Sequence, residues 1–260
     1  MDNESLDRIG DALYEAWLSR RVIAPISADL PGLTIDDAYR IQQRMVGRRL
    51  EKGERIIGKK IGVTSKVVQQ MLNVHQPDFG VLLSGMHYED GAAIPMSSLI
   101  QPRAEGEIAF FLKEDLRGPG VTITQVMDLT KEVAACFEIV DSRIRNWSIG
   151  IQDTVADNAS CGVFVLGKER VDAQTIDLQT CGMVIEKNGE VVATGAGAAA
   201  LGHPANAVAW LANELGARGI TLKAGEPILS GSLASLIPVA AGDSLRVRID
   251  GIGACSVSFQ

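Results

Sequence analysis

The chain has 260 residues, of which 46% are hydrophobic and 22% charged, and its formal net charge is −7. A composition this apolar excludes an intrinsically disordered chain. The acidic balance and the scattered basic residues argue against nucleic acid as a partner. We therefore expect a globular protein that does not bind nucleic acid.

The four cysteines are widely spaced and form no C-x-x-C pair, which excludes a zinc ribbon and a dense disulfide framework. The first residues are acidic, where a signal peptide would be basic. No uncharged apolar run reaches the ~18 residues that a membrane span needs. We therefore expect a cytoplasmic protein without a membrane partner.

Residues 6–18 carry apolar side chains at spacings of three and four, which predicts an amphipathic helix. Thr34 and Asp37 resemble a helix capping box, and a second apolar stripe continues from them until Gly53. These patterns predict a helical lead-in over residues 1–53.

The rest of the chain, residues 54–260, is dominated by short apolar runs separated by glycine, which are typical of strands. The predicted strands cover 56–63, 79–83, 108–112, 133–140, 162–166, 226–230, 244–249 and 255–259, and the predicted helices between them cover 124–129 and 203–215. We find no repeat and no linker. The sequence predicts an α+β fold in which the N-terminal helical segment lies on a mixed β core, as one continuous structural unit.

Two glutamates, Glu105 and Glu107, stand at alternate positions just before the apolar run 108–112. In a strand both carboxylates lie on one face, and Ile108 and Phe110 lie on the other. Like charges at the edge of a core are costly unless a cation neutralises them. A metal ion would supply that cation, although an E-x-E pattern on a strand is more often a solvated face.

A third glutamate, Glu138, lies inside the apolar run 133–140, where an unpaired charge would be expensive. Three carboxylates without a histidine form a hard oxygen site, which favours Mg²⁺ or Mn²⁺ over zinc. The alternative interpretation is a buried ion pair between Glu138 and Arg143 or Arg145.

Two adjacent lysines, Lys59 and Lys60, stand inside the strand-like run 56–63, so at least one of them is predicted to point inward. An inward lysine near carboxylates can act as an acid, a base or an anion clamp. On the residues alone, a solvated lysine is the favoured interpretation. Residues 75–80 contain Pro-Asp and glycine, which predicts a turn.

Residues 153–160 form a polar patch, and its simplest interpretation is a turn or a helix cap. Ser160 lacks a G-x-S-x-G context, so a serine hydrolase triad is unsupported. Residues 195–200 match the dinucleotide pattern G-x-G-x-x-A, but no helical pattern starts there. We reject a nucleotide site and expect these small residues to permit close backbone approach.

Six ordered segments together resemble the 2-hydroxypenta-2,4-dienoate hydratases, also called 2-oxopent-4-enoate or vinylpyruvate hydratases. The segments are 57–65, 73–80, 101–109, 137–143, 153–162 and 195–202, so the resemblance covers nearly the whole chain. It implies a mixed β-sandwich roll of the fumarylacetoacetase C-terminal-domain type. It also implies hydration of 2-hydroxypenta-2,4-dienoate to 4-hydroxy-2-oxopentanoate in the meta-cleavage catabolism of aromatic compounds.

In this superfamily three acidic side chains in an E-x-E…E arrangement hold the metal, and they map onto Glu105, Glu107 and Glu138. The implied cofactor is a divalent ion, Mg²⁺ or Mn²⁺. The resemblance further implies roles in substrate binding or proton transfer for the remaining candidates, which are Lys60, Asp78 and Ser160. As partners it implies further copies of the chain, in a homo-oligomer, and the 4-oxalocrotonate decarboxylase of the same pathway.

The sister 4-oxalocrotonate decarboxylase is the competing interpretation, because its fold and its metal site are similar. Asp78 within Gln-Pro-Asp-Phe-Gly is typical of the hydratase, and so are the segments 101–103 and 160–162. A third interpretation makes the chain a non-catalytic partner subunit of the decarboxylase.

Overall fold

The computed structural model describes residues 1–71 and 73–260. The first 53 residues contain three helices, which are α1 (Asn3–Ser19), α2 (Ile26–Asp29) and α3 (Ile35–Glu51). The capping box predicted at Thr34 and Asp37 begins α3. Helices α1 and α3 pack together, and their apolar stripes are buried in the same hydrophobic core as side chains of the strands.

The remainder is built from thirteen strands and four further helices among the described residues. The strands are β1 (Ile56–Gly62), β2 (Asp78–Leu83), β3 (His87–Glu89), β4 (Ala92–Ile94), β5 (Pro102–Leu112), β6 (Thr130–Asp141), β7 (Cys161–Leu166), β8 (Gly182–Lys187), β9 (Glu190–Ala196), β10 (Pro227–Leu229), β11 (Ile237–Pro238), β12 (Ser244–Ile249) and β13 (Gly253–Phe259). The helices are α4 (Lys66–Met71), α5 (Ile123–Leu129), α6 (Ile151–Ala156) and α7 (Pro204–Ala217).

The strands form two mixed sheets. The larger has eight strands, with the order β2-β1-β10-β5-β6-β7-β3 and β11 paired to β5. The smaller has five strands in the order β4-β13-β12-β8-β9. Each sheet contains both parallel and antiparallel pairs. In the larger sheet β1 is parallel to β10 and β5 is antiparallel to β6, and in the smaller sheet β13 is parallel to β4 and antiparallel to β12. The predicted α+β fold with a mixed β core is confirmed.

The larger sheet is apolar on both faces. On β5, Ile108 and Phe110 belong to the main core, which also contains the inward residues of the smaller sheet, whereas Ala109 and Phe111 belong to a second cluster on the opposite face. Gly106 faces the smaller sheet so closely that a Cβ there would lie 2.8 Å from Met183 Sδ. Since side chains alternate along a strand, both neighbours of Gly106 point to the opposite face.

Two local predictions need correction. The predicted turn over 75–80 ends earlier, because Asp78 is already the first residue of β2. The polar patch 153–160 is neither a simple turn nor only a cap, because it contains most of α6 followed by a 3₁₀ turn, Asn158–Ser160. Among the residues that the structure describes, no helix is long and apolar enough to cross a membrane.

The small residues near 195–200 have the predicted role of close backbone approach. A Cβ on Gly195 would collide with the carbonyl oxygen of Leu233, and a Cβ on Gly197 with that of Leu178. A 3₁₀ turn, Gly197–Ala199, follows β9, and α7 begins only at Pro204. The glycines therefore serve packing, and the rejection of a dinucleotide-binding turn is consistent with this geometry.

Gly197→Ala is expected to lower the free energy of unfolding by about 1–3 kcal/mol, because the obstacle to the new methyl group is backbone and cannot rotate away. Urea unfolding measures the change. The neighbouring Ala199 is exposed, and Ala199→Ser should stay within about 0.5 kcal/mol of the original chain. Equal midpoints for the two variants would contradict the close contact.

Candidate active site and metal centre

Strands β5 and β6 bring three glutamates together. Glu105 is directly opposite Glu138 in the antiparallel ladder, and Glu107 is opposite Cys136, two residues further along. Cross-strand partners share a face, so the three carboxylates project from the same side of the larger sheet. One oxygen from each of them lies within 4.8 Å of the others. This group could hold a metal ion.

Two of the glutamates are fully shielded from water and the third is mostly shielded. Glu107 and Glu138 are 0% exposed, and Glu105 is partly exposed. The interpretation of the E-x-E pattern as a solvated face is therefore wrong. Burial, reinforced by the charge of Glu138, raises the pKa of Glu105 to about 8 and raises the pKa of Glu107 well above its ordinary range. Neighbouring carboxylates that are removed from water have raised pKa values unless a cation between them offsets their repulsion.

The site also contains unpaired oxygen atoms. Across residues 1–71 and 73–260, six buried side-chain polar atoms have no hydrogen-bond partner, and four of them belong to Asp78, Glu107 and Glu138. Buried polar atoms are almost always satisfied in native proteins. Their concentration on carboxylates, with no histidine or thiolate in the group, fits a hard divalent cation.

Lys60 on β1 provides the positive charge next to this cluster. Its Nζ lies 3.0 Å from Glu138 Oε1 and donates a hydrogen bond of 2.9 Å to the carbonyl oxygen of Ala159. The side chain is 2% exposed, so the interpretation of Lys60 as a solvated lysine is wrong. The proposed pairing of Glu138 with Arg143 or Arg145 is also wrong, because Lys60 occupies that position.

The pKa of Lys60 follows from two opposing causes. Burial lowers it, but the charges of Glu138, Asp78 and Glu105 outweigh burial, so the pKa lies above its ordinary value. Lys60 is therefore an ammonium at neutral pH. The adjacent Lys59 is buried as well, and its Nζ lies 3.7 Å from Glu226 Oε2.

Asp78 begins β2 opposite Gly62 of β1, and a Cβ on Gly62 would collide with its carboxylate. Glycine is thus required there to give the carboxylate room. Thr154 Oγ1 lies 3.5 Å from Asp78 Oδ2 and 3.3 Å from Ser160 Oγ, so Thr154 links the two candidates. Burial raises the pKa of Asp78, against the opposing charge of Lys60.

The structure places all six predicted site residues in one region, and it adds two groups that sequence patterns missed. Thr154 lies within the polar patch 153–160, but no pattern distinguished it there. The backbone N–H of Gly231 donates a 2.7 Å hydrogen bond to Glu107 Oε2. A backbone donor leaves no side-chain signal, and the only indication in the sequence is a glycine, which here adopts a φ of +99°.

Comparison with known proteins assigns the chain to a family. Residues 58–260 match the family described as fumarylacetoacetate (FAA) hydrolase C-terminal. A 2-hydroxyhexa-2,4-dienoate hydratase from Comamonas testosteroni is 59% identical over 260 residues, which cover 99% of this chain and 98% of the relative. A 2-hydroxypent-2,4-dienoate hydratase from Pseudomonas putida is 59% identical over 221 residues, which cover 85% of this chain and 100% of the relative.

Solved structures show the same fold. The 4-oxalocrotonate decarboxylase from Pseudomonas putida G7, complexed with magnesium and adipate, is 37% identical with a TM-score of 0.97, covering 100% of this chain and 99% of that chain. Its complex with calcium and acetate, with the same coverage, is 36% identical with a TM-score of 0.95. Identity to the two hydratases is higher than identity to these decarboxylase chains. The chain thus belongs to the fumarylacetoacetate hydrolase C-terminal family and, within it, to the group of 2-hydroxydienoate hydratases that its six segments predicted.

Proposed function

We propose that this chain is a metal-dependent hydratase that converts 2-hydroxypenta-2,4-dienoate and water into 4-hydroxy-2-oxopentanoate in the catabolism of aromatic compounds. The observation that carries the proposal is the group of three glutamates, two of them fully buried, with Lys60 and Asp78 beside it. The 59% identity to two dienoate hydratases supports the substrate class.

Glu105, Glu107 and Glu138 would hold the cofactor, Mg²⁺ or Mn²⁺. When bound, such an ion would orient the oxygens of the substrate and stabilise the negative charge that develops on its 2-oxygen. The buried oxygens of Glu107 and Glu138 that accept no hydrogen bond support this assignment.

Lys60 would stabilise negative charge and orient the substrate. An ammonium has three donors. Lys60 donates one to the carbonyl of Ala159, and its Nζ forms an ion pair with Glu138 at 3.0 Å. A further donor remains for an oxygen of the substrate. Because both partners are fixed by strand and loop backbone, the ammonium would be held in position before the substrate arrives.

Asp78 would transfer protons. The dienol must lose its 2-hydroxyl proton to solvent and gain a proton at carbon 5, which makes it an α,β-unsaturated ketone, before water can add its hydroxyl to carbon 4 and a proton to carbon 3. Asp78 has a raised pKa and an unpaired Oδ1, so it can supply that proton and then, as a carboxylate, accept a hydrogen bond from water. Thr154 and Ser160 would hold its other oxygen and the substrate by hydrogen bonds.

Affinity for Mg²⁺ is expected to rise with pH through about pH 8, because the pKa of Glu105 is about 8, the pKa of Glu107 is also raised, and both protons must leave before the oxygens can bind a cation. Each proton displaced makes the association constant up to about 10-fold higher per pH unit. Calorimetry in two buffers with different ionisation enthalpies measures both affinity and proton release. Constant affinity from about pH 6 to pH 8 would contradict the raised pKa.

The test of the function follows the ultraviolet absorbance of freshly generated 2-hydroxypenta-2,4-dienoate with Mg²⁺, with Mn²⁺ or with EDTA, and identifies the product by NMR. We expect metal-dependent loss of the dienol and formation of 4-hydroxy-2-oxopentanoate. Carbon dioxide release from 2-oxohex-3-enedioate, with no hydration, would instead indicate the decarboxylase. Turnover only after addition of that decarboxylase would indicate a partner subunit.

We also propose that the chain forms a homo-oligomer and associates with 4-oxalocrotonate decarboxylase. The TM-score of 0.97 supports the association with the decarboxylase, because two chains of the same shape can occupy equivalent positions in one assembly. Light scattering of the purified protein, alone and mixed with the decarboxylase, measures both assemblies. A monomer under both conditions would contradict the proposal.

A further inference from the structure

We propose that the buried ion pair between Arg143 and Asp157 is a positioning device, which holds the 3₁₀ turn Asn158–Ser160 in a strained conformation and thereby fixes Lys60, β2 and Ser160 for the reaction. This inference rests on the proposed function for its kinetic consequence, but not for its structural one.

The backbone of the turn is unusual. Asn158, Ala159 and Ser160 have φ values of 53°, 50° and 53°, so three consecutive residues with a Cβ adopt the left-handed conformation. Only glycine, and less often asparagine or aspartate, adopts this conformation readily, and then as single residues. Such a segment persists only where surrounding contacts determine it.

The ion pair between Arg143 and Asp157 supplies those contacts, and Asp157 is the residue immediately before the turn. Their side chains are 1% and 0% exposed. Arg143 donates from Nε and from its backbone N–H to the two carboxylate oxygens of Asp157, and from Nη2 to the carbonyl oxygen of Asp157. It also donates from Nη1 to the carbonyl oxygens of Asp141 and Cys161, so the guanidinium connects the end of β6 to both ends of the turn.

The turn delivers three groups to the site. The carbonyl oxygen of Ala159 accepts the hydrogen bond from Lys60 Nζ, and the hydroxyl of Ser160 contacts Thr154. The amide of Asn158 pairs with the backbone of Val81, accepting at 2.9 Å and donating at 3.0 Å. Strand β2 lies at the edge of the sheet, so its outer backbone groups have no neighbouring strand to bond. The Asn158 amide makes two of these hydrogen bonds instead and thereby holds the strand that carries Asp78.

Two groups of buried charges therefore have different roles: the glutamates could bind metal, and the pair of Arg143 and Asp157 holds the turn. Arg143 and Asp157 do not belong to the group of three glutamates that could bind metal, and their hydrogen bonds go to the residues that flank the turn and to the end of β6. A buried pair of this kind stabilises little by itself, since desolvation offsets much of its attraction. Its specific effect is on the conformation of the turn, which predicts consequences for turnover without consequences for metal binding.

Arg143→Lys tests the inference, because it keeps the charge but removes the forked contacts to several carbonyls. We expect amide hydrogen exchange at Val81 and Ser160 to become about 10-fold faster or more. We expect kcat to fall about 10–100-fold, with the affinity for Mg²⁺ within about 3-fold of the original value. Asp157→Asn, of equal size, should show the same pattern.

The matched control is Arg49→Lys. Arg49 is 3% exposed and pairs with Glu54 through two hydrogen bonds of 2.7 and 2.8 Å, but it lies at the end of α3 and contacts no site residue described above. It should leave both exchange at Val81 and kcat unchanged. Unchanged exchange in Arg143→Lys and Asp157→Asn would overturn the inference whether or not the chain is a hydratase.

A double-mutant cycle with Ser160→Ala distinguishes positioning from general destabilisation. If Arg143 acts through the turn, Arg143→Lys should reduce kcat less in the Ser160→Ala background than in the original chain, and Ala159→Gly should restore part of the lost kcat, because glycine adopts the left-handed conformation freely. Strictly additive effects with no rescue would overturn it. Absence of turnover in the original chain and in Arg49→Lys would refute the proposed function, while the exchange measurement still decides this inference.

Discussion

Glu107→Gln is expected to remove the stabilisation of the protein by Mg²⁺ and to lower turnover about 100-fold or more, with the fold intact. Glu107 is fully buried, and this burial together with the charge of Glu138 raises the pKa of its carboxyl well above the ordinary range, which favours the protonated form when no cation is bound. Glutamine has the size of a protonated glutamic acid and can still accept the hydrogen bond from Gly231. The substitution therefore removes a metal ligand without creating a cavity.

Thermal unfolding with and without Mg²⁺ measures the effect. At a concentration of about 100 times Kd, a ligand stabilises the native state by about 2.7 kcal/mol, which we expect for the original chain and not for the variant. Glu132→Gln is the control, because Glu132 also lies on β6 but is partly exposed. Full activity of Glu107→Gln without added metal would contradict the metal site.

A site residue could be predicted from the sequence where the signal for it lies within a few consecutive residues. The convergence of Glu105 and Glu107 follows from the two-residue period of a strand, which any strand obeys. Glu138 stood out because a charge inside an apolar run needs a partner. Both signals are contained in a few consecutive residues, so the sequence was sufficient for them.

Lys60 shows the limit of local reasoning. Its neighbour Glu138 is three strands away, because β10 and β5 lie between β1 and β6 in the larger sheet. Strand order and register depend on contacts between distant segments, which hydrophobic periodicity does not record. A solvated lysine was therefore favoured on the residues alone, and only the family resemblance selected Lys60.

Arg143 shows that residues close in sequence need not contact each other. Its position five residues after Glu138 suggested an ion pair between the two, but the guanidinium instead pairs with Asp157. The turn that follows has left-handed backbone at residues with no glycine, so no composition signal indicated it. Strain held by a distant side chain is invisible in a short sequence window.

The turn predicted at 75–80 was wrong at its end for a physical reason as well. Pro77 and Gly80 are typical of turns, yet β1 offers an open partner for the segment from Asp78 onward. Gly62 and Gly80 allow the close approach of β1, β2 and the turn at Asn158. Tertiary pairing thus placed the carboxylate of Asp78 at the start of a strand, inside the protein.

Asp78→Asn is expected to lower kcat by about 10²–10⁴-fold, and affinity for Mg²⁺ much less. Asparagine is nearly isosteric and fits the room left by Gly62, so no loss of stability is expected from packing. The amide cannot exchange a proton with the substrate. Because burial raises the pKa of Asp78, the acid form donates protons below that pKa, and the rate of the original chain should fall as pH rises through it.

The pH dependence of kcat therefore decides the role of Asp78. In Asp78→Asn the fall in rate with rising pH that depends on this ionisation should disappear, whereas Asp11→Asn, which alters a partly exposed pair with Arg44 between α1 and α3, should retain both rate and profile. A residual rate in Asp78→Asn with the original profile would assign proton transfer to another group. Lys60 would then be the candidate for proton transfer, because its ammonium group lies 3.0 Å from Glu138 Oε1, next to the three glutamates.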